Sequence, residues 1–158
     1  MEKTTYAALS PKYKEVLDKA EQAMRNGYTP YSYFYVGASV LTKSGKIYAG
    51  ANVETASYTA ICAEQAAISR AVTDGEYSYE AIAVICGWDI KDVKNIAGPC
   101  GSCRQLIYEF SEIANKDIVI INSTTDKKEI IVATISELHP ISFGPIATEV
   151  DISRYQTE

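Results

Sequence analysis

Cys62-Ala63-Glu64-Gln65-Ala66-Ala67-Ile68-Ser69-Arg70-Ala71-Val72, then Glu80-Ala81-Ile82-Ala83-Val84-Ile85-Cys86, then Pro99-Cys100-Gly101-Ser102-Cys103-Arg104-Gln105-Leu106-Ile107-Tyr108-Glu109-Phe110, form the stretch from which the rest of the chain is ordered. The first segment is rich in helix formers and stops at Asp74-Gly75. The second is a short apolar run of strand length. The third reads as a helix, with Pro99 just before it, where a first turn tolerates proline. Helices alternating with a strand predict parallel pairing in the middle of a sheet covered on both faces.

Working outward, Ser10-Pro11 is a cap and first-turn signal. Tyr13, Val16, Leu17, Ala20, Ala23 and Met24 follow at helical spacing until Asn26-Gly27. Residues 36–41 and 46–49 are strand candidates around the Ser44-Gly45 turn, and the small Gly37, Ala38 and Ala49 predict close approach by a helix or ligand. Beyond the central stretch, residues 117–121 and 129–134 read as two more strands, and 134–138 as a helical turn stopped by Pro140. Residues 87–98, which include Trp88, read as a loop. The order α-β-β-α-β-α-β-β predicts one α/β domain over residues 1–158. Its expected architecture is a three-layer α/β/α sandwich with a five-stranded mixed sheet.

The balance of 47% apolar to 22% charged residues is that of an ordinary globular chain, and the net charge of -5 argues against a nucleic-acid partner. No apolar run is long enough to span a membrane, and Met1-Glu2-Lys3-Thr4-Thr5 has no secretory core. Four cysteines without export features point to a reducing cytoplasm, where their spacing reads as metal binding or catalysis before disulfides. Cys86, ending an apolar run, reads as core packing.

Cys62, Cys100 and Cys103 offer three thiolate donors, Glu64 adds a carboxylate, and no fourth ligand stands out. A closed structural zinc site takes four protein ligands, whereas a catalytic one takes three and keeps a position for water. The cysteines fall at two expected helix starts, where backbone N–H groups and the positive dipole end favour thiolate. Residues 28–35 are dense in aromatics and read either as a packed connection or as a wall for a flat base. Asn52 and Glu54, two apart in an extended segment, point the same way and could bond a sugar hydroxyl, although polar loop residues are usually just a solvated turn. The residues alone leave open a Cys100-Gly-Ser-Cys103 thiol redox protein and a zinc-stabilised module without catalysis.

The Cys-Ala-Glu and Pro-Cys-x-x-Cys pair resembles the signature of zinc-dependent nucleoside and nucleobase deaminases. Tyr31-Ser32-Tyr33-Phe34-Tyr35-Val36-Gly37-Ala38, Asn52-Val53-Glu54-Thr55-Ala56-Ser57-Tyr58, Cys103-Arg104-Gln105 and Ser142-Phe143-Gly144-Pro145 further resemble the small homotetrameric cytidine deaminases, in that family's order. The resemblance implies that Cys62, Cys100 and Cys103 hold zinc and that Glu64 shuttles protons in converting cytidine or deoxycytidine to its uracil counterpart. It implies that Asn52 and Glu54 grip the ribose, Phe34 packs on the pyrimidine and the Ala63 backbone meets the base. Phe143 would enter a neighbouring subunit's site in a homotetramer. A deaminase of an aminonucleoside antibiotic or another cytosine nucleoside analogue shares the metal motifs, but Asn52, Glu54 and Phe143 favour the nucleoside.

Three departures stand out against the family pattern. Gln65 takes the place of the usual Arg, leaving Arg104 and the helix ends to offset the charge of three thiolates. Thr59-Ala60-Ile61 is one residue short of the usual length, which predicts a pocket reshaped toward cytidines with bulkier 4-amino substituents. His139, the only histidine, stands where Leu is common; with three cysteines available, it is not expected to bind metal.

Overall fold

The computed structural model describes residues 1–88 and 96–156. In chain order the elements are β1 (Glu2–Thr4), α1 (Pro11–Met24), β2 (Tyr35–Thr42), β3 (Ile47–Ala51), β4 (Val53–Glu54), β5 (Ala60–Ile61), α2 (Ala63–Thr73), β6 (Tyr79–Gly87), α3 (Gly101–Ala114), β7 (Val119–Ser123), β8 (Ile130–Thr134) and α4 (Ile135–Leu138). Ser10 caps α1 by accepting from the Tyr13 N–H at 3.4 Å, as its position ahead of Pro11 predicts. Of the loop expected at 87–98, residues 89–95 lie outside the described residues.

The main sheet runs β1-β8-β7-β6-β2-β3. The helix-bridged pair β6–β7 is parallel, and every other neighbouring pair in this sheet is antiparallel. The sheet therefore has six strands where the sequence predicts five. The extra strand, β1, lies along the outer edge of β8 (Lys3 opposite Ile131), and the Met1 ammonium pairs with Glu137. Three residues are too few to show a period; only the open edge of β8 makes them a strand. A second small sheet, β4–β5, comes from the polar stretch before Cys62.

Three layers form because successive residues of β6 face opposite ways. Ala81, Ala83 and Ile85 pack with Val16, Leu17, Ala20 and Met24 of α1. Ile82 and Val84 pack with Ala67 and Ile68 of α2 and Ile107 of α3. Gly37 and Gly50 let the helices come this close. A Cβ on Gly37 would lie 2.0 Å from the Ala20 carbonyl oxygen, and one on Gly50 would lie 2.5 Å from the Ala67 nitrogen. Since Gly50 is paired with Ala38, the two glycines serve opposite faces of the sheet. Gly37→Val is expected to cost about 3 kcal/mol, because rigid backbone rather than a flexible side chain must yield. A melting temperature within a degree or two of the parent would contradict that packing account.

Among the described residues, no helix is long and apolar enough to cross a membrane.

Candidate metal centre and substrate cavity

The centre is built by two helix starts. Cys62 is the N-cap of α2 and Cys100 the N-cap of α3, with Cys103 in the first turn of α3. The three sulfurs lie within 4.8 Å of one another, and Cys62 Sγ is 3.8 Å from Cys100 Sγ. Tetrahedral zinc with Zn–S bonds of about 2.3 Å holds its sulfurs ~3.8 Å apart. The donor set therefore fits zinc in both type and spacing. All four cysteines are free thiols.

Helix-start placement does not by itself make all three groups thiolates. Burial pushes the Cys103 thiol far up, and Glu64 and Cys62 push it further. Burial also raises Cys62. Only Cys100 falls below its ordinary value: burial opposes ionisation there, but hydrogen bonds from the Cys103 N–H and from both neighbouring thiols outweigh it. Burial thus disfavours ionisation of two of the three sulfurs, a cost that a divalent metal would offset.

Gln65 has a local use that explains part of its departure from the family pattern. Its Oε1 accepts from the Cys62 N–H at 3.1 Å, closing the first turn of α2 around that cysteine. Arg104 steadies the other helix start: Nε donates to the Pro99 carbonyl at 2.8 Å and Nη1 to that of Leu138 at 2.9 Å. It therefore clamps the peptide leading into Cys100. His139 stands apart from the sulfurs, its Nε2 3.2 Å from Gln105 Oε1.

Glu64, on the first turn of α2, is 4% exposed. Burial raises its pKa, while its own backbone N–H and the neighbouring Cys103 thiol pull it part of the way back. Its carboxyl group lines a cavity of about 200 Å³ together with Cys62, Cys100, Ala63, Phe34 and Asn52. The structure thus brings six of the expected site residues to one opening, with Cys103 buried behind it.

Glu54 and Phe143 stand elsewhere. Glu54 is not part of the cavity wall; it accepts from the N–H groups of Tyr31 and Ser32 at 3.1 Å each and from the Ser32 hydroxyl. Those bonds hold its pKa below the usual carboxylate range, with the Ser32 hydroxyl the largest contributor. Asn52 lines the cavity with both polar atoms engaged: Oδ1 accepts from Val36 N and Nδ2 donates to Phe34 O, each at 2.9 Å. Phe143 is 69% exposed on the strap after α4, fastened by Gln105 Nε2 donating to its carbonyl at 2.7 Å.

Sequence reasoning missed part of the wall. Cys86, read as core packing, is buried but borders the cavity, as do Val84 and Val36. Their alternation along β6 and β2 was legible; which face carried the site was not. Ala60 and Ile61, in the segment expected to be reshaped, do form part of the rim.

Residues 10–121 match the family described as the cytidine and deoxycytidylate deaminase zinc-binding region. The chain belongs to that family. A cytidine deaminase of Halalkalibacterium halodurans is 40% identical over 129 residues, covering 81% of this chain and 91% of its relative. One from Sporosarcina psychrophila is 36% identical over 132 residues, covering 83% and 90%. The crystal structure of cytidine deaminase from Burkholderia pseudomallei aligns with a TM-score of 0.72 at 31% identity, covering 82% of this chain and 97% of that one. Within this zinc-binding deaminase family, the fold and the convergence of Cys62, Cys100 and Cys103 leave neither a thiol redox protein nor a purely structural zinc module as a competing account.

Proposed function

We propose that the chain hydrolytically deaminates cytidine and deoxycytidine to uridine and deoxyuridine. The observation that best supports this is the buried Glu64 carboxyl beside three converging sulfurs, opening onto a cavity with an aromatic wall. Cys62, Cys100 and Cys103 hold the zinc, which, when bound, supplies the Lewis acidity that makes hydroxide available near neutral pH. Glu64 takes a proton from the attacking water and passes it to ring N3, while the water oxygen bonds to C4. Glu64 then carries the second proton to the amino group, the C4–N bond breaks, and ammonia leaves. Burial of Glu64 suits it to both transfers, since a raised pKa lets a carboxylate take up a proton readily.

Phe34 packs on the pyrimidine, and the Ala63 backbone meets the base. Asn52 and Glu54 serve the sugar, Asn52 from the cavity wall and Glu54 after exchanging some of its bonds to the 31–32 loop for ribose hydroxyls. The short rim at Ala60 and Ile61 supports acceptance of cytidines substituted on the 4-amino group. Ammonia release over cytidine, deoxycytidine, an N4-acylated cytidine and an aminonucleoside antibiotic tests these points together. Turnover of the first two is expected; no release from either would end the proposal, and strict preference for the bare amine would remove the claim about the rim.

The enzyme works in the cytoplasm as a homotetramer that shares its sites, with Phe143 serving a neighbour. The support is an exposed Phe143 on a fastened strap, flanked by Ile141 and Ile146, which are also exposed. Mixing Phe143→Ala and Glu64→Gln subunits after mild dissociation is expected to restore activity, because some mixed sites then carry neither defect. Activity that stays at the sum of the separate variants would rule out sharing.

A further inference from the structure

The cavity wall includes residues outside the metal-binding and sugar-binding motifs. On the site-facing side of β2 and β6 the antiparallel register pairs Ala38 with Val84 and Val36 with Cys86. Val84, Val36 and Cys86 all line the cavity. The ladder ends with Tyr35 opposite Gly87, facing the other way. Phe34 and Trp88 follow just beyond that last pair, one residue outside each strand. The rings meet there, with centroids 5.0 Å apart and planes at 63°. Phe34 lines the cavity, and Trp88 stands against the Phe34 ring, just outside that lining.

Trp88 is the only tryptophan in the chain, and 64% of it is exposed. Phe34 touches it in an edge geometry, which leaves most of the indole surface uncovered. An indole held at the mouth of a cavity for a flat ring has the shape and the π surface to stack on that ring or close over it. We propose that Trp88 is a substrate-contacting, specificity-determining residue. It forms with Phe34 a two-ring wall that retains the pyrimidine nucleoside. This rests on the reading of the cavity as a cytidine site and adds to it a contact outside the quoted family motifs.

The single indole makes the test direct. Zinc-loaded Glu64→Gln protein, which should bind without turning over, is titrated with cytidine while tryptophan emission and heat of binding are recorded on the same sample. A saturable change in emission is expected, with the dissociation constant that calorimetry gives. In the otherwise unchanged enzyme, Trp88→Ala is expected to raise KM about tenfold with kcat within about twofold, and Trp88→Phe to recover most of the loss. The melting temperatures of both variants should match the parent.

Calorimetric binding without any change in emission would overturn the assignment. So would an unchanged KM in Trp88→Ala, which would make the indole a bystander, or a loss of activity tracking a lower melting temperature, which would make it a structural residue. Absence of any nucleoside binding, by heat as well as by emission, would instead remove the cytidine reading and this assignment with it.

Discussion

Glu64→Gln is expected to keep its zinc and its fold while losing at least 10²–10⁴-fold in turnover, roughly the contribution of a positioned proton-transfer group. The substitution keeps the shape of a side chain that is only 4% exposed, so neither a void nor an overpacked contact is created. An amide oxygen still accepts a hydrogen bond. What disappears is the ability to take a proton from water and return it to N3 and then to the amino group. With both transfers assigned to one carboxyl, no second residue among the described ones on the cavity wall takes over: their other polar side chains are the Asn52 amide and cysteine thiols. The measurement pairs ammonia release with zinc content and a melting curve on the same preparation. Near-parental turnover with zinc bound would remove Glu64 from the mechanism. Lost zinc would show instead that the carboxyl helps to hold the metal.

Removing the metal should have a comparable effect on activity and an additional one on stability. The three sulfurs crowd together at two helix starts, and without a cation Cys62 and Cys103 are held protonated by burial and by neighbouring negative charge. Zinc binds the folded arrangement and finds no such cluster in the unfolded chain, so it stabilises the fold by mass action. At free zinc about 1,000 times the dissociation constant this amounts to about 4 kcal/mol, or ~10 °C in melting temperature for a domain of this size. Chelator-stripped protein is expected to be inactive, to melt lower by that margin, and to recover on addition of zinc. Cys103→Ser, which replaces a fully buried donor with a hard hydroxyl, should not recover. Stripped protein with unchanged turnover would exclude a catalytic metal. An unchanged melting temperature would show that α2 and α3 are locked together by packing alone.

The central stretch was readable because its signals are local. Asp74-Gly75 ends α2 within a turn of its observed last residue, Thr73, and Ser10-Pro11 starts α1 at Pro11. The same logic placed Cys62 and Cys100 at helix starts. Burial and neighbouring charge, which oppose ionisation of Cys62 and Cys103, act through the assembled site rather than along one helix. Gln65 could be noticed as a departure in the sequence. Its bond to the Cys62 N–H could be seen only once the turn was closed.

The amino-acid order alone therefore determined the three layers, the parallel β6–β7 pair, the three candidate metal-ligating sulfurs and the single carboxyl beside them, since periodicity and caps act over a few residues. Tertiary structure alone decided the sixth strand, which exists only by pairing with the edge of β8. It also decided the local engagement of Glu54 with the 31–32 loop, the place of Cys86 on the cavity wall, and the meeting of Phe34 with Trp88 just beyond the ends of two paired strands. Each of these joins segments far apart in the chain, and such contacts depend on register and closure, which no local pattern encodes.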